Sequence, residues 1–252
     1  MAPKIDRWLP VIGLVAAAIA VVLLGGCAGG SLQLLPQSQP DEAELWQLPA
    51  DAYPSQRLYR VKYQGPEGKA SFRLTLYLAG PSKYRMDAAD KLGRRVWSLQ
   101  VEEGSRAVFL DHRRSLYCTA AGGGEQSFVP IAHLPLAALP HLILGRIPET
   151  PDSELLQNES KVSFRDRSGR LWNAESSAGV LSWWSLMQDG EAVAWWRHLD
   201  GRSVFSDRRG GQQVTWTEQV RERLAKELTP LEIPQDFREG ACGETLVSRP
   251  DA

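Results

Sequence analysis

Phe72-Arg73-Leu74-Thr75-Leu76-Tyr77-Leu78 is the stretch of sequence that decides the fold. Apolar side chains alternate along it with polar or amphipathic ones, which is the two-residue period of a β-strand with one buried face. The same period appears just upstream, where Tyr59, Val61 and Tyr63 alternate with charged side chains. The sequence Gly-Pro-Glu-Gly at residues 65–68 separates the two segments and predicts a turn between antiparallel strands.

The alternation continues on both sides of one break in the middle of the chain. It predicts short strands over residues 83–119 and again over residues 162–217, with tight-turn dipeptides such as Asp189-Gly190 between them. Residues 130–147 are apolar without alternation and predict one or two short helices. Some ten strands without βαβ spacing predict a mainly β fold. We expect a curved antiparallel sheet or open half-barrel, with the helical segment as its lid or plug.

Nine tryptophans are an unusual feature of the composition. Two adjacent pairs, Trp183-Trp184 and Trp195-Trp196, lie within predicted strands, so each pair directs one indole to each face of the sheet. One interpretation is that the outer indoles pack under a loop. The other is a water-shielded slot suited to a hydrocarbon ligand. For such a cavity we predict a lining of Phe72, Leu74, Leu76, Trp97, Leu99, Leu142, Trp183 and Trp196.

The N-terminus has the organisation of a secretory signal. Lys4 and Arg7 precede an apolar run over residues 8–24, and two glycines follow immediately before Cys27. The ending Leu-Gly-Gly-Cys resembles the lipobox of bacterial lipoproteins, which implies that residues 1–26 are removed and that Cys27 carries a diacylglyceryl thioether. The alternative is an uncleaved membrane anchor. Both interpretations place the rest of the chain outside the cytoplasm and at a membrane.

Three further segments are expected after the signal peptide. Residues 27–54 are small, polar and rich in proline and predict a flexible tether, residues 55–243 form the folded domain, and residues 244–252 are a tail. The net charge of −1 provides no basic field for nucleic acid. Cys118 and Cys242 remain as an even pair in an exported chain, where they form either a disulfide or two unlinked buried thiols.

No catalytic constellation is apparent. The four histidines are scattered, and the sequence contains no nucleophile elbow, phosphate-binding loop or dinucleotide fingerprint. We therefore predict no catalytic residue, no metal site and no cofactor, and a protein that is not an enzyme. The charged residues of segment 218–228 are interpreted as a solvated face, with a short helix there.

Three segments together resemble the LolB and LolA family of lipoprotein carriers. They are the lipobox, the strand-loop-strand from Tyr84-Arg85-Met86 to Val96-Trp97, and the segment from Leu134-Pro135-Leu136 to Ile147-Pro148. The resemblance implies an unclosed barrel with a helical lid and an internal cavity for acyl chains. It also implies that the loop at residues 90–94 inserts into a membrane through Leu92 at its tip, although Leu92 also suits an ordinary turn.

Two functions follow as expectations. The first is a non-enzymatic carrier or receptor for acyl chains of lipoproteins or lipids, anchored by lipid in the cell envelope. The resemblance places it at the outer membrane facing the periplasm, with a periplasmic carrier protein as a partner. The alternative is a structural or assembly lipoprotein that binds an envelope protein and has no ligand cavity.

Overall fold

The first half of the domain is an antiparallel meander of six strands. In this computed structural model the described residues are 45–48, 50–66, 68–80, 82–102, 106–121, 136–148, 155–158, 160–177, 180–225 and 227–240. Neighbouring strands of the meander pair in chain order. The strands are β1 (Ser55–Gly65), β2 (Gly68–Gly80), β3 (Lys83–Ala89), β4 (Arg95–Glu102), β5 (Arg106–Asp111) and β6 (Leu116–Ala121).

A second antiparallel meander follows the helical segment. Its strands are β7 (Leu156–Asn158), β8 (Lys161–Arg165), β9 (Leu171–Ser177), β10 (Val180–Gln188), β11 (Glu191–Leu199), β12 (Arg202–Asp207) and β13 (Gln212–Arg223). Strand β13 pairs antiparallel with β1 and thereby joins the two meanders. A last short strand, β14 (Arg238–Glu239), lies parallel to β6.

The described strands form one sheet in the order β14-β6-β5-β4-β3-β2-β1-β13-β12-β11-β10-β9-β8-β7. The sheet is curved and unclosed, with β14 at one edge and β7 at the other. The predicted mainly β fold is confirmed. The described sheet has fourteen strands where about ten were expected; β7 and β14, two of the additional ones, are too short to show a period in the sequence.

One face of this sheet carries the core, and we call it the inner face. In β1, Tyr59 and Val61 are buried whereas the intervening Arg60 is exposed, as the alternation predicts. The same pattern holds in β2, where Leu74, Leu76 and Leu78 are buried. Inner-facing residues from both meanders join one continuous apolar cluster, so the two halves share a single core.

The helical segment packs over the inner face. It consists of a 3-10 turn (Leu136–Ala138) and helix α1 (Leu139–Ile143). Pro140 lies in the first turn of α1, where a missing N–H is tolerated, and Gly145 with φ of 71° ends the segment. The Tyr84 hydroxyl donates to the Leu136 carbonyl at 2.6 Å. The predicted helix is thus present over the inner face, whereas residues 130–135 lie outside the described residues.

Residues before β1 also belong to the core. Leu45 and Trp46 are helical and buried, and the Ile147 N–H donates to the Leu45 carbonyl at 2.9 Å. A 3-10 turn (Ala50–Ala52) leads from there into β1. The folded domain therefore extends to the N-terminal side of the expected boundary at residue 54.

The segment after β13 crosses to the far edge of the first meander. It is not helical: β13 continues to Arg223, and the described residues after it are irregular as far as β14. The predicted helix at residues 218–228 is therefore wrong. Leu228 is buried, and so are Val108 and Leu110 of β5, although they point away from the inner face. The Phe237 ring packs against the His112 ring at 5.5 Å, and His112 contacts the outward-facing Ser98, so this segment reaches the outer face of the sheet. We call residues 227–237 the outer strap.

Several predicted features fall outside the described residues. These are the signal peptide at residues 1–26, Cys27, residues 28–44 of the tether, Cys242 and the tail at residues 244–252. Within the described ranges, no helix has the length and hydropathy that a membrane-spanning helix requires.

Candidate functional site

The inner face of the second meander is an aromatic wall. Its rings belong to Phe164 of β8, Trp172 of β9, Trp184 of β10 and Phe205 of β12, and Trp46 joins them from the segment before β1. Successive ring centroids lie 5.2 to 6.1 Å apart, in edge-on, stacked or tilted arrangements. Such pairs add to the free energy of burial beyond their area. The wall is therefore both rigid and strongly apolar.

The strand register places the wall in rows across the sheet. Trp184 lies directly opposite Ala174 of β9 on one side and Trp196 of β11 on the other. Trp196 lies in turn opposite Phe205, and Phe205 lies opposite Val214 of β13. All of these side chains are buried. Trp196 therefore belongs to the wall, and a single row of it carries two neighbouring indoles, Trp184 and Trp196, at its centre.

Most of the predicted cavity-lining residues lie together on this core side. Leu74, Leu76, Leu99, Leu142 and Trp196 are in the core cluster, and Phe72 and Trp97 pack against it half-buried. Phe72 and Trp97 also contact each other edge to face at 6.3 Å. The six strand residues share the inner face, and Leu142 of α1 joins the same core cluster. That they line a cavity remains a prediction.

Trp183 lies on the other face of the sheet. It pairs across the strands with Glu175 and Arg197, which are both exposed, whereas its neighbour Trp184 is fully buried. A β-bulge between Leu181 and Trp183 is the reason, because the extra residue reverses the alternation that follows it. The inner member of this pair is therefore Trp184, and strict alternation from Leu181 selects the wrong indole.

One charged cluster lies on the inner face at the far end of β1. The buried Arg57 forms an ion pair with Glu218 at 3.4 Å, and the Tyr59 hydroxyl donates to the same carboxylate at 3.2 Å. Burial and then the Glu218 carboxylate raise the pKa of the Tyr59 hydroxyl above its ordinary value. Arg57 is six residues along β1 from Tyr63, which shares the row of Trp196. The aromatic wall itself is therefore uncharged at its centre.

Two serine-histidine contacts are present, and neither has the form of a nucleophile site. Ser98 Oγ lies 3.0 Å from His112 Nε2, and Ser203 Oγ lies 3.0 Å from His198 Nδ1. Both serines are buried, and the His112 ring packs against Phe237 beneath the outer strap. Burial lowers the pKa of His112. Among the described residues no cluster of three metal-ligating side chains occurs.

The loop between β3 and β4 presents Leu92 to solvent. Asp90 Oδ1 accepts hydrogen bonds from the backbone N–H groups of Leu92 and Arg94, and Asp90 Oδ2 pairs with the Arg94 side chain at 2.8 Å. Gly93 adopts a φ of 82°, which closes the turn. These bonds fix the loop, and Leu92 is 79% exposed, more than any other large apolar side chain of the described ranges.

The turns of the sheet segregate charge. Because the strands are antiparallel, alternate turns fall at opposite ends, and the end that carries Leu92 also carries the turns at residues 112–115, 166–170, 189–190 and 208–211. We call this end the basic rim. Its described turns hold Lys91, Arg94, Arg113, Arg114, Arg167, Arg170, Arg208 and Arg209, against Asp90, Asp166 and Asp189. The described turns at the opposite end hold Asp200 and no basic residue.

Neither sequence comparison identifies a relative: no protein-family model matches the chain, and no curated protein matches it. Among solved structures, the chain is similar to a LolA superfamily protein from Nitrosomonas europaea, with 12% identity and a TM-score of 0.48. The similarity covers 77% of this chain and 94% of that one.

Two further structures are similar to the chain. A DUF1329 family protein from Desulfovibrio piger has 10% identity and a TM-score of 0.45, covering 69% of this chain and 87% of that one. A domain described as an outer membrane lipoprotein-sorting protein, from Vibrio parahaemolyticus, has 4% identity and a TM-score of 0.45, covering 69% and 86%. At these scores and identities the similarities do not indicate what this chain binds.

Proposed function

We propose that this protein is a non-enzymatic carrier or receptor that binds acyl chains of lipoproteins or lipids on its inner face and transfers them at the outer membrane. The observation that carries the proposal is the aromatic wall, which is buried, uncharged at its centre and covered by a short helix. An acyl chain needs only dry apolar contact, and each buried methylene contributes about 0.8 kcal/mol.

Helix α1 is the element that would open for a ligand. Two hydrogen bonds from the strands reach this helical segment: the Tyr84 hydroxyl donates to the Leu136 carbonyl at 2.6 Å, and the Trp216 indole N–H donates to the Ile143 carbonyl at 3.0 Å. Five helical residues are too few to be stable alone, so α1 depends on these contacts and on packing. Displacing it exposes the wall without breaking any strand pairing.

The basic rim would face the membrane. Leu92 supplies an apolar tip of the kind that enters the interfacial region of a bilayer. The surrounding lysine and arginines match the negative surface of a bilayer that contains anionic lipid. A diacylglyceryl group on Cys27, joined through the tether, would hold the domain close enough for the rim to make contact.

Native mass spectrometry of the purified protein tests ligand binding. We expect co-purified lipid or stoichiometric uptake of an added lysophospholipid. Leu92→Glu is expected to leave this uptake unchanged and to slow transfer of the bound lipid to vesicles. Leu199→Glu is the matched control, because Leu199 is also exposed but lies beside the turn at residues 200–201, at the opposite end. Equal loss of binding and transfer in the Leu92 variant would contradict the role of Leu92.

A structural or assembly lipoprotein is the second candidate, and the free edge at β7 favours it. Strand β7 pairs with β8 alone among the described strands, and its Leu156 is largely exposed. An exposed edge can accept a strand from an envelope protein. Under this function the purified protein would be free of lipid and would not take up lysophospholipid, and Leu156→Glu would weaken crosslinking to its partner in the envelope.

A further inference from the structure

Two indoles at the centre of the aromatic wall have no acceptor for their N–H groups. Trp184 and Trp196 face each other directly on β10 and β11, and at most 1% of either residue is exposed. Neither Nε1 has a hydrogen-bond partner among the described residues, and the same is true of Trp46. Burying a donor without an acceptor costs free energy, so two adjacent cases in one core require an explanation.

The other buried indoles show that this chain does provide acceptors. Trp172 Nε1 donates to the Asp166 carboxylate at 2.8 Å, and Trp216 Nε1 donates to the Ile143 carbonyl at 3.0 Å. Trp172 lies on the strand next to that of Trp184, so the contrast holds within one cluster of rings. Among the indoles of the strands, Trp184 and Trp196 are thus two neighbours that lack acceptors where Trp172 and Trp216 have them.

The surroundings of the pair define what kind of acceptor fits. The neighbours in the row are Ala174 and Phe205, and an added Cβ at Gly145 would lie 3.0 Å from the Trp196 ring. The next inner-facing residue after Phe205 is the buried Asp207, whose Oδ2 has no hydrogen-bond partner among the described residues. A nearby carboxyl group and the absence of a described cation in the row disfavour an anion. The acceptor should therefore be a neutral group that is attached to an apolar molecule.

Building on the proposed function, we propose that Trp184 and Trp196 together bind the carbonyl oxygen of a fatty acyl group, each indole N–H donating one hydrogen bond. A carbonyl oxygen has two lone pairs and can accept both donors. The ligand would then be recognised as an acyl ester or amide, not merely as hydrocarbon. These two hydrogen bonds give each indole N–H an acceptor when the acyl chain is bound against the aromatic wall.

A comparison of an ester with an ether isolates this contact. The probes are 1-palmitoyl-lysophosphatidylcholine and 1-O-hexadecyl-lysophosphatidylcholine, which share head group and chain length, and binding to the full chain is measured below their critical micelle concentrations. We expect the ester to bind about tenfold more tightly than the ether. Trp184→Phe/Trp196→Phe is expected to abolish the difference by weakening the ester alone. Trp195→Phe, on the outer face, is the control and should leave the ratio unchanged.

Infrared spectroscopy of the bound ester gives a readout that does not depend on the double variant. With a ¹³C-labelled carbonyl, the stretch should shift to lower frequency on binding to the unmodified protein, as a doubly hydrogen-bonded carbonyl does. Equal binding of ester and ether, or an unshifted carbonyl band, would overturn the inference and leave acyl binding intact. If neither probe binds, the proposed function itself fails.

Discussion

Asp166 is the residue on which the end of the β8-β9 hairpin depends. Its carboxylate accepts hydrogen bonds from the Trp172 indole, the Ser168 hydroxyl and the Arg170 guanidinium, between 2.7 and 2.8 Å. Burial opposes ionisation, but these donors outweigh it and hold the pKa of Asp166 at about 2. One turn residue therefore fixes an indole of the aromatic wall. In the sequence, the presence of Trp172 six residues later is the only indication of this role.

Replacing Asp166 should reveal this role through pH. Because the folded-state pKa lies below the ordinary value, the charged carboxylate stabilises the fold above about pH 4, and this contribution is lost as the pH falls toward 2. We expect Asp166→Asn to lower the free energy of unfolding by about 2 kcal/mol at pH 7. Urea unfolding measured from pH 7 to pH 2 should show that the difference in the free energy of unfolding between the variant and the unmodified protein becomes smaller below pH 4.

Asp189→Asn serves as the control for this measurement, because Asp189 is exposed in a turn at the same rim. It is expected to change stability by less than about 0.5 kcal/mol. The difference in the free energy of unfolding between Asp166→Asn and the unmodified protein is expected to depend on pH. If it stays constant down to pH 2, the stabilising role assigned to the charged Asp166 carboxylate is wrong.

At the scale of elements, the positions of most strands and their buried faces can be predicted from the sequence. The irregularities of the sheet cannot. Residues such as Leu74, Leu76 and Leu78 alternate strictly, so strand and buried face follow from the pattern alone. The inner indole of the Trp183-Trp184 pair was not predictable, because a β-bulge is a property of strand pairing and leaves no periodic signal. The acceptor of the Trp172 indole and the missing acceptors of its neighbours are likewise set by tertiary packing.

Helix α1 makes a prediction at the same scale. The Tyr84 hydroxyl is buried, which raises its pKa, and it bonds to the Leu136 carbonyl. Tyr84→Phe removes this bond while keeping the ring, so we expect a loss of about 1 kcal/mol in stability. Hydrogen exchange should accelerate at the amides of Leu144 and Gly145, which bond within the α1 segment. Unchanged exchange there would show that packing alone holds the helix.

Strand β14 bears on the predicted disulfide. Its parallel register sets Arg238 opposite Leu116 and Glu239 opposite Tyr117, so the chain reaches the level of Cys118 two residues before Cys242. Cys118 is buried and disulfide-bonded, and its partner lies outside the described residues. We therefore maintain the prediction of a Cys118–Cys242 bridge.

Peptide mapping without reduction tests the bridge and should yield one linked pair of peptides containing Cys118 and Cys242. A crosslink over so long a loop is expected to stabilise the fold by about 4 kcal/mol, so reduction or Cys242→Ser should lower the unfolding midpoint. Recovery of Cys118 linked to Cys27 instead would refute the pairing.

For the whole molecule, the difference in charge between the described turns at the two ends of the sheet predicts, under the proposed function, that the basic rim faces the bilayer. Arg208 and Arg209 lie in an exposed turn of the basic rim, whereas Arg202 and Arg223 are exposed near the opposite end. Near an anionic surface each basic residue contributes about 1 kcal/mol. Membrane binding should therefore depend on which end of the strands a basic residue occupies, and not on the net charge of the protein.

Vesicle sedimentation measures this difference. We expect Arg208→Ser/Arg209→Ser to reduce binding to vesicles containing phosphatidylglycerol by about tenfold or more, and the reduction should shrink as salt is added. Arg202→Ser/Arg223→Ser is the charge-matched control and is expected to bind like the unmodified protein. Equal losses in both double variants would indicate a non-specific charge effect and no preferred orientation.

The pairing of β1 with β13 has a consequence for how the chain reaches this state. These strands stand near the beginning and the end of the folded domain, yet they are neighbours in the sheet and join its halves. Contacts between residues so distant along a chain slow folding, since the intervening loop must be closed first. During synthesis the first meander therefore keeps the edge of β1 unpaired until β13 has emerged.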